Sequence, residues 1–374
     1  DVGQWKRPWF YPRASESMEE AVHRECIAVR NGVGILDAST LGKIDIKGTD
    51  AAEFLSRVYT NSFLTLARGK CRYGVMLKED GMIFDDGVCA CLGPNHYLMF
   101  TTTGGAAQVL AWLELWRQTE WPELRVYCTS VTDHWGTVTL SGPDSRRVLE
   151  AVCAGIDLDN DSFPFMEWRD AIIAGVDARI FRISFTGELS FEINMPAHHA
   201  RHIWEALIDS GEPYDITPYG TETMHVLRAE KGFMIVGQDT DGSMTPYDMG
   251  LGWVVNKSKE FSFLGERSLD RSHMLRKDRK QFIGLKTIDG SKMLPEGGQL
   301  IFDHEEQIPM SMQGHVTSSY YSPSLGHPIA LGVIKGGFSR MGQIVYCPQP
   351  NGEIISAEIV NSVFYDGDGA RQNV

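Results

Sequence analysis

The sequence is short of several things, and each shortage closes off a class of protein. No apolar stretch approaches the roughly 20 residues that a membrane-spanning helix needs, and no basic-then-apolar leader opens the chain. Lysine and arginine number 35 against 49 aspartates and glutamates, a net charge of −14. A duplex DNA or RNA partner calls for clustered cations instead. Neither a membrane nor a nucleic acid is therefore expected as a partner, although a local handful of Arg and Lys could still hold a small anion. The seven cysteines are scattered singly apart from Cys89-x-Cys91, with no CxxC pair. That pattern reads as reduced thiols and a cytoplasmic location. Walker and Gly-x-Ser-x-Gly motifs are absent. So is an initiating Met: the chain opens at Asp1 and is expected to be a piece of something longer.

What is present is ordinary globular material, 43% hydrophobic and 22% charged over 374 residues, enough for two or more packed units. Ser17-Met18-Glu19-Glu20 has the form of a capping box, and Met18, Val22, Cys26 and Val29 follow at helical spacing. A helix is expected over 17–31. Lys43–Lys47 alternates as a strand, turns at Gly48 and opens a helix behind Asp50. Thr137–Ser141, Gly142 and Asp144 repeat the pattern. In each copy the Asp suits a helix N-cap, and the pair suggests duplicated strand–turn–helix units in an α+β fold. Between them Asp80-Gly81 marks a hairpin, with strands over Val75–Leu77, Met82–Cys91 and Tyr97–Thr101 and a helix through Val109, Leu113 and Trp116. Residues 1–267 read as one main domain and 268–280 as a charged linker. From 281 to 374 short β-like runs between Gly and Pro turns form a small antiparallel barrel or sandwich.

Asp85-Asp86 stands in an apolar strand frame, where an Asp is unfavourable and burial without a partner costs several kcal/mol. Either it is a site carboxylate or it meets solvent at a strand edge; pattern alone leaves both open. Adjacent strand residues face opposite sides, so only one of the two is expected to point inward. His198 and His202 lie at i and i+4, but no third ligand accompanies them, so a solvated helix face is the better account and no metal is expected. Gly32-x-Gly34-x-x-Asp37 lacks the last glycine of a dinucleotide fingerprint. Thr101-Thr102-Thr103-Gly104-Gly105, a loop before a helix, is a weak anion motif on its own. Cys89 and Cys91 face one side of a strand and are most simply core.

Several separated segments resemble one family. Asp37-Ala38-Ser39, Gly81-x-Ile83-x-Asp85-Asp86, Phe185-Thr186-Gly187-Glu188, Leu227-Arg228-x-Glu230, Gly237-Gln238-Asp239 and Ser322-Pro323-Ser324-Leu325-Gly326 look like the glycine-cleavage T-protein (aminomethyltransferase) family, in its order and over nearly the whole chain. Trp5-Lys6-Arg7-Pro8, Gly69-Lys70-Cys71-Arg72-Tyr73-Gly74 and the stretch from Glu230 to Gly242 are similar to one branch, the C-terminal half of heterotetrameric sarcosine oxidase alpha subunits. Two departures are informative: Ser39-Thr40-Leu41 stands where T-proteins carry Ser-His-Met, and Phe233 stands where iron–sulfur-assembly relatives place a Cys.

The resemblance implies a cloverleaf of three subdomains, the last a small antiparallel β barrel, with tetrahydrofolate in a central channel. It makes Asp85 the catalytic pterin carboxylate, with Asp86 the second choice. It places Glu192 on the pterin edge, Arg228 in the folate site and Phe185, Tyr73 and Trp253 around the ring. Thr102 falls where T-proteins often have Asn. The implied reaction captures an iminium carbon as 5,10-methylenetetrahydrofolate while sarcosine becomes glycine. FAD, FMN and NAD would belong to flavoprotein partner chains or a missing N-terminal half. A stand-alone aminomethyltransferase, a sulfur-to-N5 methyltransferase and a non-catalytic folate-binding module are the alternatives.

Overall fold

The first helix forms where the capping box stands. Ser17 Oγ accepts the Glu20 N–H at 3.2 Å, and the Glu20 carboxylate accepts the Ser17 N–H at 2.8 Å. Two otherwise orphaned donors are thereby satisfied, and the helix Met18–Asn31 buries Val22, Cys26 and Val29. In this computed structural model, which describes residues 1–304 and 308–374, the rest of the chain folds into three lobes, each built on a sheet.

The first lobe holds a five-stranded antiparallel sheet in the order Cys71–Leu77, Ile83–Gly93, His96–Thr101, Gly42–Lys47, Tyr127–Ser130. Its hairpin turns at Asp80-Gly81, where Gly81 takes φ +88°, a left-handed conformation that favours glycine. The second lobe has seven strands: Thr217–Pro218, Gly34–Asp37, Trp135–Ser141, Ser190–Pro196, Val176–Arg182, Glu167–Ile173 and Cys153–Ala154. Only the pairing of Gly34–Asp37 with Thr217–Pro218 is parallel. The third lobe is a six-stranded antiparallel barrel, Gln299–Leu300, Gly314–Ser322, His327–Lys335, Lys280–Thr287, Ile354–Val360, Ile344–Pro348. A bridge between Ile301 and Tyr346 joins its two edge strands. This is the expected α+β cloverleaf with its C-terminal barrel.

The two strand–turn–helix units fall in different lobes, one leading into the helix Ala51–Val58 and the other into Ser145–Glu150. Their aspartates do not cap these helices. Asp50 spends a carboxylate oxygen on the Arg125 N–H at 2.7 Å and Asp144 pairs with Arg147, so neither makes the expected cap bond. Distant and local partners outcompeted the cap. The His198/His202 pair is split between a short 3₁₀ turn and the helix Ala200–Gly211, with His202 against the Ala174 carbonyl.

The lobes meet in a shared core. Val22, Cys26 and Val29 of the first helix, Val226 and Leu227 of the helix Thr221–Glu230, Leu331 and Val333 of the barrel, and Val75 and Ile83 of the hairpin form one apolar cluster. A polar knot runs through it. Arg30, buried, donates to Glu230 at 2.6 and 2.9 Å, to Glu188 at 2.9 Å and to the carbonyls of Thr186 and Leu227. Glu230 also accepts from Ser322 of the barrel at 2.5 Å, and Glu188 from Arg371 near the chain end at 2.9 Å. Breaking one side of such a buried network leaves uncompensated charge, which costs about 3–5 kcal/mol. Arg30→Met is therefore expected to lower the urea midpoint by that much stability, read by circular dichroism.

Candidate active site

A cavity of about 1830 Å³ opens where the lobes meet, walled by Asp85 and Asp86 of the first sheet, Thr139 and Glu192 of the second, and Phe282 and Phe338 of the third lobe. That exceeds the roughly 300–1,000 Å³ of most small-molecule clefts, so it has room for several linked rings. The strand Ile83–Gly93 explains how two adjacent carboxylates reach it. Its ladder to Cys71–Leu77 continues to Ile83, but its ladder to His96–Thr101 ends at Cys89 opposite Met99. From Ile83 to Val88 the strand is therefore paired on one side only, and a register shift at Met76/Leu77 leaves Phe84 as an extra residue. Both Asp85 and Asp86 line the cavity. The expectation that only one could do so rested on the alternation of a strand's two faces; here the cavity reaches residues on both faces of the strand.

The two carboxylates sit differently. Asp85 is 2% exposed; neither of its oxygens makes a hydrogen bond of standard geometry, although the Asp86 N–H and the Thr102 N–H and hydroxyl lie near enough to favour its charged form. A Cβ at Gly105, the residue before the helix Ala106–Thr119, would stand 2.9 Å from Asp85 Oδ2 and 2.6 Å from Thr102 Oγ1; glycine there lets the backbone approach the carboxylate. Burial, and then the neighbouring charge of Asp86, push Asp85 up to about 7, with nearby Thr102 opposing. Asp86 accepts the Tyr73 hydroxyl at 2.7 Å, and burial pushes it up to about 6. Across the cavity, burial lifts Glu192 to about 7 against the opposing charge of Lys43. Lys43 is itself buried, donating to the carbonyls of Ser39 and Leu41 at 3.1 and 3.0 Å.

Aromatic rings flank these groups. Tyr73 and Trp253 lie 6.1 Å apart, and Phe185 and Phe233 stack at 6.2 Å. All four line the cavity, Trp253 being 72% exposed at its rim. Thr102 is on the wall, its Oγ1 accepting the Gly105 N–H at 3.1 Å.

Arg228 is not on the wall. It is fully buried, ion-paired with Asp239 and hydrogen-bonded to Ser318 Oγ at 2.7 Å and to the Phe233 carbonyl at 3.0 Å. It ties the helix Thr221–Glu230 to the barrel through its two terminal nitrogens, while its Nε stays buried without a partner. Three wall residues, by contrast, were not singled out from sequence: Arg7, Tyr219 and His225. Arg7 had a partial signal, as one of the two cations of the Trp5-Lys6-Arg7-Pro8 segment; Tyr219 and His225 had none. Among the described residues no group of three or more His, Cys, Asp or Glu could hold a metal ion, and no helix is long and apolar enough to cross a membrane.

Three sheet-built lobes thus surround a cavity walled by aromatic rings and buried carboxylates, and the fold is that of the glycine-cleavage T-proteins. The GCVT N-terminal domain family matches residues 1–259, and the glycine cleavage T-protein C-terminal barrel domain matches residues 280–366. The chain belongs to the T-protein family. It is 53% identical over 378 residues to sarcosine oxidase subunit alpha of Corynebacterium sp. strain U-96, all of this chain aligning with 39% of that relative. It is 31% identical to an aminomethyltransferase of Halothermothrix orenii, over 90% of this chain and 89% of that one. The crystal structure of the glycine cleavage system aminomethyltransferase T from Bartonella henselae superposes with a TM-score of 0.82 at 25% identity, covering 96% of this chain and 92% of that one. The chain thus spans about two fifths of the length of the sarcosine oxidase subunit it matches.

The raised carboxylates bear on stability. Between about pH 4 and 7 the folded chain holds protons on Asp85 and Glu192 that the unfolded chain releases, so these groups make stability fall as pH rises through that window. Asp85→Asn removes one such contribution. Relative to wild type, the variant is expected to gain roughly 1–4 kcal/mol between pH 4 and pH 8, measured by urea unfolding at the two pH values.

Proposed function

We propose that the cavity binds a reduced folate and that the chain carries out folate-dependent one-carbon transfer. An iminium carbon derived from sarcosine is captured as 5,10-methylenetetrahydrofolate, and glycine leaves. The observation that carries this reading is Asp85, a buried carboxylate whose oxygens make no hydrogen bond of standard geometry, in the wall of a cavity of sufficient size. A protein retains such a group against its desolvation cost where a ligand supplies the missing hydrogen bonds. Donors such as pterin N–H groups suit Asp85, Asp86 and Glu192, and the pairs Tyr73–Trp253 and Phe185–Phe233 offer faces to a fused ring.

Folate supplies two amine nitrogens as carbon acceptors, and their two protons must end on the departing amine of glycine. Asp85, near neutrality, is suited to accept and return one of them. Its negative form also stabilises a cationic carbon electrostatically. The preceding two-electron oxidation of sarcosine is assigned to a flavin outside this chain, in the remainder of an alpha subunit or in partner flavoprotein subunits, with any NAD also bound there. Support comes from the 53% identity to a sarcosine oxidase subunit alpha. The similarity to an aminomethyltransferase along nearly its full length favours, as a second reading, an aminomethyl donor in place of the sarcosine iminium.

Asp85→Asn, with its fold checked by circular dichroism, is expected to lower methylenetetrahydrofolate formation by about 10²–10⁴-fold. The assay uses sarcosine and the flavoprotein partner in single turnover. Normal product formation by the folded variant would sink the assignment of Asp85, and folate binding without any turnover in wild type would leave only a binding module.

A further inference from the structure

Among the described residues, four lysine or arginine side chains line the cavity: Arg7, Arg72, Lys78 and Lys231. Two are occupied: Arg72 donates to the Ser62 carbonyl, and Lys231 reaches Asp366 Oδ2 at 3.1 Å. Lys78 makes no ion pair with a described residue, its ammonium standing 5.9 Å from the Phe84 ring on the first sheet's hairpin. Arg7 has no ion pair within 4.0 Å and no hydrogen bond to a described residue, and its Nε is buried without a partner. Asp37, whose charge it feels, already uses one oxygen on the Ser39 N–H at 2.9 Å.

The backbone fixes where Arg7 stands. The next two residues dock on the helix Thr221–Glu230, the Pro8 and Trp9 carbonyls accepting the N–H groups of Thr221 and Glu222 at 3.1 Å each. Those helix donors are consumed, so the guanidinium is the free donor at this corner. His225, one turn along the helix and on the same wall, is kept neutral at ordinary pH: burial first, then Arg228 and Arg7, push it down to about 4. A guanidinium stays charged at any physiological pH, and a half-buried one without a counter-ion is costly.

We propose that Arg7 anchors a carboxylate inside the cavity. This rests on the folate reading above, which offers two sources of that chemistry: the glutamate carboxylates of folate and the carboxylate of the amino-acid amine. The planar fork of arginine matches a carboxylate in two parallel hydrogen bonds, which lysine cannot reproduce.

The test is isothermal titration of the chain and its Arg7→Gln and Arg7→Lys variants with tetrahydrofolate and with 6-methyltetrahydropterin, which keeps the ring and lacks carboxylates. Glycine is then titrated into each complex. Arg7→Gln is expected to fold as wild type, because it removes no internal bond; urea unfolding checks this. A selective loss of tetrahydrofolate affinity, about 10–100-fold and only partly recovered in Arg7→Lys, assigns Arg7 to folate. An unchanged tetrahydrofolate affinity with glycine binding lost assigns it to the amine. Equal losses for folate and pterin, or no loss in any arm, overturn the proposal. If the wild-type chain binds neither pterin nor folate, the folate reading itself falls, before any variant is compared, and takes this proposal with it.

Discussion

Arg30 makes five hydrogen bonds in the dry centre of the molecule, two of them converging on Glu230 Oε2 and the others reaching Glu188 and the carbonyls of Thr186 and Leu227. Through Glu188 and Glu230 it joins the first helix, the turn at 186–188, the helix Thr221–Glu230, the barrel at Ser322 and the tail at Arg371. The Tyr365 ring lies 4.2 Å from its guanidinium carbon. Hydrophobic contact alone would allow three lobes many near-equivalent packings. A buried guanidinium whose every partner must be in place admits few, because any slip strands a charge in a low-dielectric interior. The position of the cavity between lobes follows from that constraint.

The molecule uses buried charge in two opposite ways. Arg30 and Arg228 are paired by carboxylates and carbonyls, and they act as joints. Asp85 and Arg7 lack such partners, and both face the cavity. Joints and site are thus told apart by ion pairing and by place rather than by residue type. Arg228 is paired with Asp239 off the cavity wall, whereas Arg7 lines the cavity with no ion pair, although both carry a buried Nε without a partner.

Features with local causes were legible in the sequence. The capping box at Ser17 and Glu20 and the turn at Asp80-Gly81 depend on residues within three positions of each other, so their geometry follows from composition. The family motifs carried the cloverleaf and brought Asp85, Asp86, Glu192, Tyr73 and Trp253 together on paper; the structure sets them around one cavity. What failed had distant causes. Asp50 lost its capping role to a backbone N–H 75 residues away. Arg228 found Ser318, 90 residues on. Both aspartates reach the cavity because a neighbouring strand departs at Met99, which no pattern within the strand itself records.

Burial of the cavity's carboxylates also carries a cost that a ligand can remove. Asp85 and Glu192 are buried and have few donors, which is why their pKa values rise toward neutrality. Any N–H donor that enters favours their charged forms and draws those pKa values down again. On the proposed reading, the folate that enters the cavity therefore converts a reluctant acid into a carboxylate at the moment a proton acceptor is required. The same hydrogen bonds relieve the destabilisation that burial of these carboxylates imposes at neutral pH. Binding, protonation state and stability are then one equilibrium, set by a strand that leaves Asp85 without a partner of its own.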